Sequence, residues 1–154
     1  MILLLNCGVQ ADNSYNMVWV IIDRLTLQQL HLAKTPNLDT LQQKGAFSLM
    51  NVRTVGHFNP ESTYLSVNAG NRCQGSKNSH SGVSYGDGAK NARIEDLIKL
   101  NRKTDYKANP GRLGDIAKNN KITIGVLGNS DLIGEKRRTI VSMAMDSNGY
   151  IPYA

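Results

Sequence analysis

Apolar residues form uninterrupted runs at several places along the chain. The clearest run is Met17-Val18-Trp19-Val20-Ile21-Ile22, which ends at Asp23. Other apolar runs occupy residues 46–51, 121–128 and 139–146. Runs that are apolar on both faces are typical of the central strands of a parallel sheet that is covered by helices. The pattern therefore predicts a strand at each of these four places.

Between the runs, apolar residues recur at helical spacing, which predicts amphipathic helices. Five helices are predicted, over residues 25–32, from Pro36, over 61–69, over 92–100 and from Pro110. Thr35 is expected to cap the second helix, and Gly45 and Gly70 are expected to end helices in the left-handed conformation. The inward face of the last helix is predicted to carry Leu113, Ile116 and Ala117. Strands that alternate with helices predict an α/β fold, with a mainly parallel sheet and helices on both faces.

Two segments differ from this alternation. Residues 1–16 are predicted to be a disordered leader ahead of a folded part at 17–154. The apolar start of this leader lacks the length and the positive charge of a signal peptide. Residues 74–90 are rich in Gly, Ser, Asn and Lys and are predicted to form a long, mobile loop. No stretch reaches the roughly 20 apolar residues that a membrane span requires, so none is expected.

Charge and cysteine content narrow the choice of partner and compartment. The 18 Lys and Arg exceed the 12 Asp and Glu, giving a formal charge of +6 that favours phosphate-bearing partners. The basic residues do not form one stripe, so no nucleic acid is expected as a partner. Cys7 and Cys73 lack the spacing of a metal site. Two buried thiols favour a reducing compartment, such as a bacterial cytoplasm.

Three carboxylates follow predicted strands, where ligands bind in open parallel sheets. They are Asp23, Asp131 and Asp146. A carboxylate on a rigid strand end is a good metal ligand, although single Asp residues there also serve as turn or cap residues. Asp23 is the favoured metal ligand of the three. The three histidines are scattered along the chain and are interpreted as surface or packed residues.

Two hydroxyl side chains are predicted at the start of a helix. Asn59 has the features of an N-cap and Pro60 those of a first helical residue, which places Ser62 and Thr63 in the first turn. A helix N-terminus stabilises a phosphoryl group through its free N–H groups and partial positive charge. The same residues also fit simple helix capping, and the pattern alone leaves both interpretations open.

Several of these stretches together resemble the alkaline phosphatase superfamily. Asp23 after the first strand, followed by Pro36-Asn37-Leu38 and Gly45-Ala46, is similar to the opening of phosphodiesterases, sulfatases and cofactor-independent phosphoglycerate mutases. The segment from Tyr64 to Arg72 looks like the helix that follows their nucleophile. The stretches Gly125 to Asp131 and Met145 to Gly149 resemble a bacterial branch of the superfamily. The resemblance covers residues 17–150.

The resemblance implies a metal-dependent hydrolase or phosphotransferase that acts on phosphate or sulfate esters. Its members use two metal ions, often zinc or manganese, and a Ser or Thr nucleophile at a helix N-terminus. The resemblance assigns Asp23 as a metal ligand and offers Ser62 or Thr63 as the nucleophile. The remaining ligands of such enzymes lie far downstream. We therefore expect an N-terminal fragment that is inactive alone and self-associates or needs a companion C-terminal segment.

Two positions depart from the family pattern and favour a different function. Arg24 stands where the family usually has Gly, and Pro60 stands at the mutase nucleophile position. These departures favour a non-catalytic, phosphatase-like binding or interaction module. A second alternative is a Rossmann-like nucleotide-binding domain, but no GxGxxG follows the first predicted strand, where that fingerprint belongs.

Overall fold

The computed structural model describes residues 2–6, 16–22, 25–46, 53–128, 131, 133–134 and 137–154. The chain divides into two compact units, Met1–Leu49 and Met50–Ala154. Both helices and strands are present, which agrees with the α/β class in its broad sense. No helix within the described ranges is long and apolar enough to cross a membrane.

The first unit contains an antiparallel strand pair and two helices. Strand β1, Ile2–Asn6, lies within the predicted leader and pairs with β2, Met17–Ile21. The predicted strand at β2 is therefore confirmed. Its predicted burial on both faces is wrong, because Met17, Val18 and Trp19 are exposed.

Helices α1, Leu27–Leu32, and α2, Pro36–Lys44, follow β2. Thr26 caps α1 through a reciprocal pair of hydrogen bonds with Gln29. The predicted capping by Thr35 is wrong, since its hydroxyl lies 3.3 Å from Asp39 Oδ1 and makes no hydrogen bond to a backbone N–H. Gly45 has φ −104°, so α2 passes into extended backbone without the left-handed turn that was predicted. Most of the predicted strand at 46–51 lies outside the described residues.

The second unit combines five helices with a small sheet over its described residues. The helices are α3 Pro60–Ala69, α4 Asn78–Ser81, α5 Ile94–Arg102, α6 Arg112–Asn119 and α7 Val141–Ala144. The strands are β3 Val83–Gly86, β4 Gly88–Asn91 and β5 Tyr150–Ile151, in the order β3-β4-β5.

The prediction of a mainly parallel sheet is wrong for the described strands. All named strand pairs are antiparallel. A single parallel bridge joins Gly125 to Tyr153. The reason is local, because β3 and β4 are adjacent in sequence and a tight turn at Asp87 allows only antiparallel pairing, whereas parallel strands need a long crossover. The predicted mobile loop at 74–90 is therefore wrong as well, since it holds α4 and this hairpin.

Two other predicted strands have a different structure. Residues 121–128 form no named strand, and the bridge at Gly125 is their β-pairing among the described residues. Residues 139–146 contain the short helix α7 in place of a strand, and residues 141–146 are all buried. A run that is apolar on all sides suits a buried helix as well as a buried strand, so periodicity alone could not separate them.

The core of the second unit joins α3, α5, α7 and the sheet. Leu65, Leu97, Val141 and Ile151 are each 0% exposed within it. Helix α3 contacts both α6 and α7. On α6, Ala117 is buried and Leu113 half-buried as predicted, whereas Ile116 is 47% exposed and its predicted inward position is wrong.

Three buried asparagines connect irregular backbone segments to this core. Each uses both N–H groups and the oxygen of its side-chain amide to bond backbone groups, most of them in turns and loop segments. Asn68 bonds Met143 O, Met145 O and Gly111 N–H. Asn91 bonds Asn78 O, Ser79 O and Arg93 N–H. Asn101 bonds Leu97 O together with the carbonyl and N–H of Gln74.

Candidate functional site

Helix α3 begins and ends at the residues that the sequence pattern predicts. Asn59 caps it, because its Oδ1 accepts a hydrogen bond of 2.7 Å from the Ser62 N–H, and Pro60 occupies the first helical position. Gly70 ends the helix with φ 61°, as expected for a left-handed cap. Ser62 and Thr63 therefore lie in the first turn of a well-defined helix.

Ser62 is enclosed by the segment that follows α3. Its side chain is 1% exposed, and its Oγ accepts a hydrogen bond of 2.9 Å from the Gly75 N–H. A Cβ on Gly75 would lie 2.3 Å from the carbonyl carbon of Glu61, so only glycine allows this close approach. The hydroxyl of Ser62 thus has a structural partner and little access to solvent.

Thr63 is the more accessible of the two hydroxyls. Its side chain is half-buried, and its Oγ1 donates a hydrogen bond of 2.9 Å to the backbone carbonyl of Asn59. Because Oγ1 acts as the donor, its lone pairs stay available to an electrophile or a cation. Thr63 therefore fits the predicted role of a reacting hydroxyl better than Ser62 does.

The structure also brings together an acid and a histidine that the sequence pattern does not connect. Glu61 lies in the first turn of α3, and His80, on α4, places its Nδ1 3.6 Å from Glu61 Oε1. The Nδ1 atom is buried without a hydrogen-bond partner among the described residues. Only the path of residues 70–81 creates this pair, so no local motif could reveal it. Residues two apart on a helix face different sides, so the pair lies on another face from Thr63.

The other predicted carboxylates have structural partners. Asp131 accepts a hydrogen bond from the backbone N–H of Arg137 and forms an ion pair with Arg138, which raises the pKa of that guanidinium. Asp146 Oδ1 accepts two backbone N–H hydrogen bonds, each 2.9 Å long, from Asn148 and from Tyr150, the first residue of β5. Its Oδ2 lies 3.6 Å from Lys118 Nζ. Asp146 therefore acts as a turn residue, one of the two roles that the sequence leaves open.

Asp23, the predicted metal ligand, lies outside the described residues. Within the described ranges, no three His, Cys, Asp or Glu side chains are grouped so that they could hold a metal ion. Cys73 is fully buried, and burial raises the pKa of its thiol to about 12. A thiol with that pKa stays protonated near neutral pH and does not act as a nucleophile.

The opposite end of α3 opens on a cleft of about 370 Å³. Three segments line it, the end of α3 from Val67 to Asn71, the residues Lys107 to Asn109, and the first turns of α6. Beside it, the Arg72 guanidinium lies 5.0 Å from the centre of the Tyr106 ring and hydrogen-bonds the Tyr106 hydroxyl. These contacts fix the chain as it leaves α3.

Two cations line the cleft. Lys107 and Arg112 are exposed, and neither has an ion-pair partner in the part of the chain that the structure describes. Other exposed cations of the unit, such as Arg102 and Lys121, also lack one among the described residues, so the position at the cleft is what distinguishes these two. The backbone of Lys107 has φ 44°, in the left-handed region that few residues with a side chain adopt. Arg112 begins α6, whose N-terminus adds partial positive charge. The sequence reasoning missed this site, because its residues are separated by about 40 positions.

Comparison with protein-family models, with curated proteins and with solved structures finds no match for this chain. The resemblance to the alkaline phosphatase superfamily therefore stays a prediction that rests on the residues themselves.

Proposed function

We propose that this chain serves the hydrolysis or transfer of phosphate esters, as its resemblance to the alkaline phosphatase superfamily implies, with Thr63 as the reacting hydroxyl. The observation that carries this proposal is the position of Thr63, half-buried in the first turn of a helix that is capped as predicted. The N-terminus of a ten-residue helix supplies partial positive charge where a phosphoryl group would sit.

The residues around Thr63 supply orientation. Asn59 fixes the first turn by accepting from the Ser62 N–H through its side chain, and its carbonyl accepts from both the N–H and the hydroxyl of Thr63. The N–H of Glu61 has no partner among the described residues, so it is the backbone donor of this turn that a phosphoryl oxygen can use. Ser62 holds the Gly75 segment against the helix.

The resemblance to the superfamily also implies a divalent metal, zinc or manganese, and assigns Asp23, which lies outside the described residues, as one of its ligands. Such an ion supplies the charge that lowers the pKa of a hydroxyl and stabilises the reacting oxygens. Glu61 and His80 offer two ligand atoms of the kind that zinc accepts, but catalytic zinc sites use three protein ligands. The described residues alone therefore do not fit a complete metal site, and we assign no chemical step to it.

Titration of the labelled chain with phenylphosphonate, a non-hydrolysable phosphate-ester analogue, tests the proposal. With zinc or manganese present, we expect amide resonances of residues 59–63 to shift. Thr63→Ser should retain this binding, since it keeps the hydroxyl, whereas Thr63→Val should weaken it several-fold because it removes one polar contact of about 1 kcal/mol. Resonances of 59–63 that stay unchanged throughout the titration would rule out a phosphate site at the start of α3.

The non-catalytic binding module is the second candidate, and one observation favours it. Pro60 occupies the mutase nucleophile position, and the neighbouring Ser62 hydroxyl is enclosed beneath Gly75. Hydrolysis of 4-nitrophenyl phosphate with added metal tests the enzyme. Turnover that Thr63→Ser keeps and Thr63→Val loses would support the enzyme and exclude the binding module. Phenylphosphonate binding at 59–63 without turnover is the result expected both of the binding module and of an enzyme fragment that is inactive alone.

A further inference from the structure

The cleft at the end of α3 has walls that are fixed by the core. Asn68 is 1% exposed, and its amide connects α3 to Met143, Met145 and the Gly111 N–H that precedes α6. A Cβ on Gly114 would lie 2.4 Å from the backbone nitrogen of Asp146, so α6 packs closely on the turn before β5. Walls that are held in place without a ligand reduce the ordering cost of binding one.

The charge of the cleft suits an anion with more than one negative charge. Lys107 and Arg112 line it from two different segments, and Arg112 is the first residue of α6. A phosphate monoester carries about −1.5 to −2 charges at neutral pH, and an Arg guanidinium binds two of its oxygens at once. A carboxylate, with one negative charge, would use only half of this arrangement.

Part of the cleft lining is apolar. Val67 of α3 and Leu113 and Ile116 of α6 contribute to it. Ile116 is 47% exposed although the helical pattern places it on the inward face. Because it lines the cleft, a bound ligand could cover this exposed apolar side chain. An inorganic phosphate ion would leave these side chains without contact, whereas a ligand with an apolar body would cover them.

We propose that this cleft is a second binding site, for a small molecule that joins a phosphate group to an apolar body. The phosphate lies between Lys107, Arg112 and the start of α6, and the apolar body lies on Val67, Leu113 and Ile116. The proposal does not depend on catalysis at Thr63, which lies at the other end of the same helix. Amide resonances of 59–63 and of 67–71 with 107–116 report the two sites separately in one titration.

The experiment compares three probes on the labelled full chain without added metal. Phenylphosphonate should shift the resonances of 67–71 and 107–116 at lower concentration than inorganic phosphate, which lacks the ring, or benzoate, which lacks the second charge. Equal binding of inorganic phosphate would overturn the apolar half of the proposal. Equal binding of benzoate would overturn the preference for phosphate.

Variants that remove one positive charge test which cations bind the phosphonate group, and the chain offers a matched control for each. Lys107→Asn removes the charge and introduces a residue type that tolerates positive φ. Lys121→Asn is its control, because Lys121 is also exposed and has φ 56°. Arg112→Gln is paired with Arg102→Gln in the last turn of α5. Each cleft variant should weaken phenylphosphonate binding about two- to fivefold, as exposed charge pairs do.

The controls should leave the affinity within experimental error. Arg112 is exposed at the first position of α6, so Arg112→Gln decides the question if Lys107→Asn fails to fold. Equal weakening in the cleft variants and in the controls would show that only the overall positive charge attracts the ligand. That result, or a titration in which the resonances of 67–71 and 107–116 do not move, would overturn the site.

Discussion

The two ends of α3 use their polar groups in different ways. At the start, Asn59, Ser62 and Gly75 satisfy one another within the protein. At the end, Asn68 is fully satisfied, but Lys107 and Arg112 have no ion-pair partner among the described residues. Groups that pair internally hold the fold, and the two exposed cations that line the cleft are available to a ligand. Only Thr63 and the Glu61–His80 pair keep ligand-binding potential at the start.

The largest loss of stability is expected from removing the buried amide of Asn68 near the end of α3. Asn68→Ala removes three hydrogen bonds and leaves two buried carbonyls and one N–H unsatisfied. Because each unsatisfied buried group costs about 1–3 kcal/mol, we expect the free energy of unfolding to fall by about 4 kcal/mol. Urea denaturation measures this change. Asn71→Ala is the control and should lose less than about 1 kcal/mol, because the two hydrogen bonds of Asn71, to the Tyr106 carbonyl and from the Arg72 N–H, are exposed.

The second largest effect is expected at the start of α3, where Gly75 packs against the first turn. Gly75→Ala places a methyl group 2.3 Å from backbone atoms of Glu61, so the segment must move away from α3. We expect a loss of about 3 kcal/mol in the free energy of unfolding. Gly86→Ala is the control, since nothing lies within 4 Å of its Cβ position. If both substitutions cost the same, the close approach of Gly75 to the helix is not what holds this end together.

The smallest effect concerns Cys73, in the segment that leads from the end of α3 to Gly75. Burial raises the pKa of Cys73 from 9.0 to about 12, so the unfolded state loses its thiol proton first as the pH rises. The contribution to stability is complete below pH 9 and is lost between pH 9 and 12, at roughly 1 kcal/mol per pH unit. Denaturation at pH 8 and pH 10 measures it. Cys73→Ala should show a smaller decrease over the same interval, and an equal decrease would contradict the assignment to this thiol.

Local signals in the sequence predicted α3 well. Asn59, Pro60 and Gly70 act within one or two turns of themselves, so cap and end could be recognised without knowledge of the fold. The hydroxyls of Ser62 and Thr63 were placed in the first turn for the same reason. What encloses Ser62 was not predictable, because Gly75 reaches it only through the path of the chain after α3.

Contacts between distant residues explain most of the errors. Residues 139–146 are apolar on all sides, and tertiary packing alone decides that they contain a helix. The hairpin of β3 and β4 was missed although Asp87-Gly88 is a recognisable turn signal, because the surrounding Gly and Ser residues favoured a loop interpretation. The Glu61–His80 pair and the Lys107–Arg112 cleft depend on chain paths that no local pattern contains.

The buried asparagines have a consequence for how the protein opens. The N–H groups of Gln74, Arg93 and Gly111 lie in turns and loop segments, yet each donates to the side-chain oxygen of a buried asparagine. Amide protons in surface turns normally exchange with solvent through small local openings. Here such an opening would also have to pull an amide side chain out of the core. These three loop protons therefore belong to the slowly exchanging set and report on the cooperative unfolding of the helices around them.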